Sequence, residues 1–172
     1  ANPTGPLHIG NGRGGFFGDS LTQLLRKMGH RVTSEYYVND GGEQVVKLGH
    51  SVLKDDEAVY GGEYIDELHA SLVQGDEQDA VTVGRKAAAT ILEQYIQKTL
   101  TQKMHITYDT FTSERALLES GTVERALERL TANGHTYEAE GALWLRTTDF
   151  GDDKDRVLIK SDGSKTYFAA DA

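Results

Sequence analysis

The sequence predicts an α/β protein in which an incomplete parallel sheet is interrupted by a helical plus β-hairpin insertion. Three observations carry that prediction. Both prolines and six of the nineteen glycines crowd into residues 1–18, just ahead of a helical apolar stripe. A run rich in β-branched and aromatic residues follows, then a second helical stretch, which is the order of half a parallel α/β unit. From about residue 136 the apolar period shortens to two, the period of strands.

Taken in order, the segment holding Pro3, Pro6 and Gly5, Gly10, Gly12, Gly14, Gly15 and Gly18 reads as a shaped loop. From Phe17 onward, Leu21, Leu24, Leu25 and Met28 form the stripe of an amphipathic helix, and Gly29 stands where a left-handed terminal residue belongs. Residues 31–38 alternate as a strand does, Asn39-Asp40-Gly41-Gly42 breaks it, and a second helix is expected from about Glu43. The strand that should precede the opening loop is missing. The chain starts Ala1-Asn2-Pro3, with no initiator Met and no signal-peptide layout, so it is expected to be a piece of something longer.

Beyond Lys54 the pattern turns to helices with acidic connections. A weak one is expected near 63–73 and a strong one over about 80–104, with Ala88, Ile91, Leu92, Tyr95, Ile96, Leu100 and Met104 on one face. Another runs near 122–132 and stops at Asn133-Gly134. Residues 136–146 then read as a hairpin turning at Glu140-Gly141, and 157–168 as a second turning at Asp162-Gly163. The expected division is therefore 1–54, the first part of a Rossmann-like domain; 55–165, a connective insertion; and 166–172, a return to the sheet.

Composition narrows the function. A chain of 172 residues buries roughly 70% of its unfolded surface. No apolar run approaches the roughly 20 residues of a membrane helix, so no membrane partner is expected. With no cysteine, disulfides, thiol catalysis and cysteine-ligated metals are excluded, and a reducing, cytoplasmic setting fits. The net charge of −9 argues against a nucleic-acid partner, but nine acids against Lys54 alone fall in residues 51–84. The acidity is local, and nucleic-acid contact elsewhere stays open. The six histidines never pair at helical spacing, and Asp149, Asp152, Asp153 and Asp155 lack the spacing of a calcium loop. No protein-held metal is expected, and those four acids read as a solvated connection.

Two motifs compete for the first loop. Gly10-Asn11-Gly12-Arg13-Gly14-Gly15 is a literal G-x-G-x-x-G, with Glu35 twenty residues on, as an NAD-type dinucleotide fold would have. That fingerprint should follow directly on a strand, whereas here two prolines precede it. Read from its start, the loop runs Asn2-Pro3-Thr4-Gly5-Pro6-Leu7-His8-Ile9-Gly10-Asn11. The prolines set its path, Gly10 gives a flat ligand room, and the helix that follows offers N–H groups and a positive dipole end to phosphate. His8 adds a donor for a phosphoryl centre gaining charge.

The wider string resembles the His-Ile-Gly-His signature of the class I aminoacyl-tRNA synthetases, and the arginyl-tRNA synthetase family in particular. Residues 35–40 (Glu-Tyr-Tyr-Val-Asn-Asp) with Gly42 and Gln44, residues 143–158, and Ser161-Asp162-Gly163 with Thr166-Tyr167-Phe168 leading to Asp171 are similar to that family in the same order. At the fourth signature position this chain has Asn11 where the family usually has His; an amide donates a hydrogen bond but carries no charge. The resemblance implies a Rossmann-like nucleotide-binding sheet and an ATP-dependent ligase that forms arginyl-adenylate and passes arginine to tRNA(Arg). It implies that ATP, with Mg2+, meets Thr4, His8, Gly10 and Asn11, His8 and Asn11 facing the phosphates. Arginine is expected at Asn2, Tyr167 and Asp171, where a carboxylate can take the guanidinium fork. No Lys-Met-Ser-Lys-Ser loop occurs, so the isolated chain is expected to be inactive. Exposed sheet edges also leave room for a strand-exchanged dimer. The alternatives are a non-catalytic nucleotide-binding or structural domain and a dinucleotide-binding domain.

Overall fold

The computed structural model describes residues 2–73 and 79–171. The chain divides into two compact units, residues 1–113 and 114–172, each with its own core.

The first unit opens with an irregular stretch whose Pro3 is fully buried, then enters helix α1 (Ile9–Lys27). The glycine-rich segment expected as loop is thus helical from Ile9, a correction whose cause is local. His8 caps the helix start, and the glycines let it pass close to its neighbours. At buried Gly15 a Cβ would lie 3.3 Å from Ile106 Cδ1. The apolar stripe of this helix faces outward, since Leu21, Leu24 and Met28 are exposed and only Gly15 and Thr22 of α1 are buried. At its end Gly29 takes φ 89° and donates to Arg26 O, closing the helix in the left-handed region that glycine tolerates.

Strand β1 (Glu35–Val38) leads to α2 (Gly42–Leu53), α3 (Glu63–Leu72) and α4 (Ala80–Ile91), which continues in π-helical turns over Leu92–Gln97 and Thr99–Lys103. The expected stripe of this long helix is real: Ala88, Ile91, Ile96 and Leu100 are buried with Val45, Leu48, Val52, Ile65 and Leu68. Helices α2 and α4 cross at glycines. A Cβ on Gly49 would lie 1.8 Å from Ala80 O, and one on Gly84 would lie 2.0 Å from Val45 O.

Strand β2 (Thr110–Ser113), which the periodicity did not reveal, lies parallel to β1 with Glu35 opposite Thr110 and Val38 opposite Ser113. Asp109 sets this register. Its carboxylate accepts from Ser34 N (2.6 Å), Ser34 Oγ (2.8 Å) and Arg26 Nη2 (2.6 Å), and these contacts hold it below the usual carboxylate range.

The second unit holds α5 (Glu114–Glu119), α6 (Thr122–Ala132) and an antiparallel sheet of β3 (Thr136–Ala139), β4 (Ala142–Leu145) and β5 (Arg156–Ile159). The expected turn at Glu140-Gly141 is found, both residues at positive φ as a tight hairpin of the right twist requires. The second hairpin is shorter than expected. Ile159 makes one bridge to Lys165, Thr166 then donates to Leu158 O, and the chain coils into α7 (Tyr167–Asp171), placing Phe168 and Ala169 against Val123, Leu127, Leu145 and Leu158. Core packing, not ladder pairing, claims those residues.

Candidate functional site

The start of α1 organises the site. His8 has extended backbone, φ −112° and ψ 170°, and its Nδ1 accepts from Gly10 N at 3.1 Å. Asn11 answers by accepting from His8 N through Oδ1 at 3.1 Å, a reciprocal capping box built from an imidazole and an amide. Because Nδ1 is an acceptor here, the ring proton of neutral His8 sits on Nε2, the donor left for a ligand. The glycine after the capped bond is required for a reason the sequence did not disclose: a Cβ on Gly10 would come within 2.8 Å of His8 Cε1 and 3.0 Å of its Nδ1. Its first role is to seat the imidazole.

A cavity of 460 Å³ opens on one side of this turn. Asn2, Thr4, His8 and Asn11 line it, together with residues 5–7 and with Tyr60 and Tyr64. Four of the expected site residues therefore share one cavity of a size that suits a small-molecule ligand. Gly10 does not line that cavity; it borders a second one of 500 Å³ with Ile9, Gly12, Arg13 and Phe16 of α1. Tyr167, 81% exposed, begins α7 in the second unit. Asp171 closes that helix, and its side chain lies outside the described residues.

The two tyrosines were not found from sequence. Tyr64 Oη donates to Thr4 O at 3.1 Å and would stand 3.3 Å from a Cβ on Gly5, so it holds the proline-rich turn in place. Burial pushes its phenol pKa up. Tyr60 Oη donates to Gln44 Oε1 at 2.5 Å. Its backbone N–H, with that of Val59, donates to Oγ of buried Ser51 at 2.9 and 3.0 Å, and Ser51 in turn donates to Lys47 O. The available signal was Tyr60-Gly61-Gly62-Glu63-Tyr64, two aromatics bracketing a glycine pair at the start of a helix.

The G-x-G-x-x-G string is helical throughout and follows no strand, which removes the geometry a dinucleotide loop needs. The acids at 149–155 are not merely solvated. Asp155 accepts from Thr148 N and from Tyr137 Oη, each at 3.0 Å, while Asp152 takes Arg156 through two bonds of 2.7 and 2.8 Å, so its carboxyl lies well below the usual range. Among the described residues no group of three His, Asp or Glu side chains is placed to hold a metal, and no helix is long and apolar enough to cross a membrane.

No family model matches the chain. Curated relatives do. The chain is 46% identical over 185 aligned positions to an arginine–tRNA ligase of Micrococcus luteus, covering 100% of this chain and 33% of that protein. It is 42% identical to an arginine–tRNA ligase of Geobacter metallireducens, covering 99% of this chain and 34% of that protein. The chain thus spans about a third of the length of the curated relatives it matches. Among solved structures, one from Campylobacter jejuni assigned as an arginyl-tRNA synthetase superposes with a TM-score of 0.84 at 37% identity, over 99% of this chain and 41% of that one. The Thermus thermophilus arginyl-tRNA synthetase shares the fold at a TM-score of 0.65 and 22% identity, over 99% of this chain and 33% of that one.

Proposed function

We propose that this chain, homologous along its whole length to about a third of the arginyl-tRNA synthetases, is the phosphate-binding front of an arginine–tRNA ligase. In this reading residues 1–54 open the catalytic sheet, 166–172 return to it, and 55–165 connect them. That connection includes β2, which lies alongside β1.

The reaction joins the carboxylate of L-arginine to the α-phosphorus of ATP, expels pyrophosphate, and passes arginine to the terminal adenosine of tRNA(Arg). Such chemistry needs positioning and charge stabilisation more than a protein nucleophile. His8 donates from Nε2 to a phosphate oxygen as the phosphorus becomes five-coordinate, its ring held by the bond from Gly10 N to Nδ1. Asn11, with Oδ1 committed to His8 N, offers its Nδ2 to the same phosphates. Thr4 borders the phosphates, adenine lies on the Gly10 side of the turn, and the Mg2+ of the substrate is carried by the ATP phosphates. Asn2, Tyr167 and Asp171 receive arginine. The parent protein works in the cytoplasm, and exposed edges allow two copies of the isolated chain to exchange strands.

The observation that carries this reading is the capped turn, which fixes an imidazole at the N-terminus of a nineteen-residue helix beside a polar cavity. Arginine-dependent exchange of pyrophosphate into ATP by the full-length protein, measured with and without tRNA(Arg), tests it. Exchange driven by another amino acid, or none under any condition, rejects it.

A further inference from the structure

We propose that the face of α6 carrying Arg125 and Arg129 holds two consecutive phosphates of an RNA strand. The proposal rests on the ligase reading for its partner, and it uses residues of the second unit alone.

Helix α6 sorts its charges by side. Arg125 and Arg129 line a cavity of 390 Å³ with Thr122, Asn133 and an apolar floor of Ala126 and Leu130. Glu124 and Glu128 line a different cavity, with Leu127, Leu143 and Ile159. Residues 125 and 129 are one turn apart, so their side chains stand on the same face about 6 Å from each other along the axis. Consecutive phosphates of a single strand repeat at a similar interval, and the carbon face of the ribose between them suits the apolar floor.

Three cations of the second unit meet carboxylates: Arg115 pairs with Glu119, Arg156 with Asp152 and Asp153, and Lys165 with Glu124. Arg125 and Arg129 have no carboxylate within ion-pair reach among the described residues. Arg125 is also aimed. Its Nη1 donates to Ser120 O at 3.0 Å and its Nη2 to Thr122 Oγ1 at 2.9 Å. A guanidinium held this way presents its remaining N–H groups as a fork, the geometry that phosphate oxygens accept in pairs. Arg129 enters no side-chain hydrogen bond among the described residues, so taking a phosphate breaks nothing. Residues 114–172 hold twelve acids against eight bases, which confines attraction to this face. A folded acidic partner would meet that surplus over a wide area, whereas a single strand touches the face along one line.

Fluorescence anisotropy of a short labelled single-stranded RNA, titrated with the 172-residue chain over a salt series, tests this. Two phosphates predict a slope of about −1.4 for log association constant against log salt concentration, and Arg125→Gln or Arg129→Gln should each cut it to about −0.7. Arg129→Lys keeps the charge and should keep the slope. Lys154→Gln, which removes an exposed lysine elsewhere in the unit, should leave it unchanged. Amide spectra that match the parent's certify the fold of each variant. No RNA binding at low salt, an unaltered slope in both glutamine variants, an equal loss from Lys154→Gln, or tighter binding of a labelled polyglutamate peptide than of RNA overturns the proposal. In the full-length protein Arg129→Gln should raise the KM for tRNA(Arg) about threefold and leave that for arginine unchanged. RNA binding through Arg129 without any arginine-dependent exchange by the full-length protein would sink the ligase reading alone. Exchange, with RNA binding indifferent to both arginines, would sink this proposal alone.

Discussion

His8 is useful because one of its two nitrogens is already occupied. The bond from Gly10 N occupies Nδ1 and leaves Nε2 as the ring's free donor, so in the proposed reaction His8 would meet a phosphate as a preset donor. In the full-length protein, His8→Ala should lower the rate of adenylate formation roughly a hundredfold while changing arginine affinity far less, because a donor aimed at developing charge acts in the transition state. Equal losses in both quantities would remove His8 from that role. Gly10→Ala tests the seat instead of the donor. Its Cβ would displace the imidazole, break the cap and lower the chain's stability by about 1 kcal/mol in urea unfolding. For Asp171→Ala the expected pattern is opposite to that of His8→Ala: a guanidinium that loses a paired carboxylate should bind about 10- to 100-fold more weakly, with adenylation at saturating arginine little altered.

At the scale of elements, the crossing of α2 and α4 depends on two missing side chains. A methyl on Gly49 or Gly84 would overlap a backbone carbonyl that has no rotamer in which to escape, so either Gly→Ala change should destabilise the first unit by about 3 kcal/mol or more. Gly18→Ala makes the contrasting case, since a Cβ there meets nothing within 4 Å and should add stability of about 0.5 to 1 kcal/mol through helix propensity. Denaturant midpoints of the three variants check both statements. The end of α2 carries a pH-sensitive tie. His50 Nδ1 and Asp55 Oδ2 lie 2.8 Å apart, and their hydrogen bond raises the histidine pKa and lowers that of the aspartate. A raised histidine stabilises the fold at low pH and loses that contribution as pH climbs through its folded pKa; a lowered aspartate loses its contribution as pH falls through its own. Both act together between about pH 4 and about pH 6.5. Stability should therefore fall between pH 6 and pH 8 by an amount that His50→Gln removes.

Across the whole molecule, the exposed apolar side chains of α1, among them Ile9 at 95%, Phe17 at 72% and Met28 at 66%, distinguish the chain from a finished globular surface. The 172-residue chain should show no arginine-dependent pyrophosphate exchange while the full-length protein does, and activity of the short chain would contradict the proposed division of labour. The order of helices and the hairpin at Glu140-Gly141 were legible without coordinates, because glycine turns and apolar periods act over a few residues. Three features were not: β2, whose four residues owe their strand to Ser34 and Asp109 some 75 residues apart in sequence; the helical state of residues 9–18; and the wall formed by Tyr60 and Tyr64. The first and last arise from contacts between segments distant in the chain, and local pattern holds no record of which distant neighbour a side chain will meet; the helix at 9–18 starts from a local cap made by His8 and Asn11, an unusual pair of capping residues. Sequence alone determined the order of the helices and the glycine turns, whereas only the tertiary structure decided that Tyr60 and Tyr64 line a cavity with Asn2, Thr4, His8 and Asn11, because long-range packing chooses those partners.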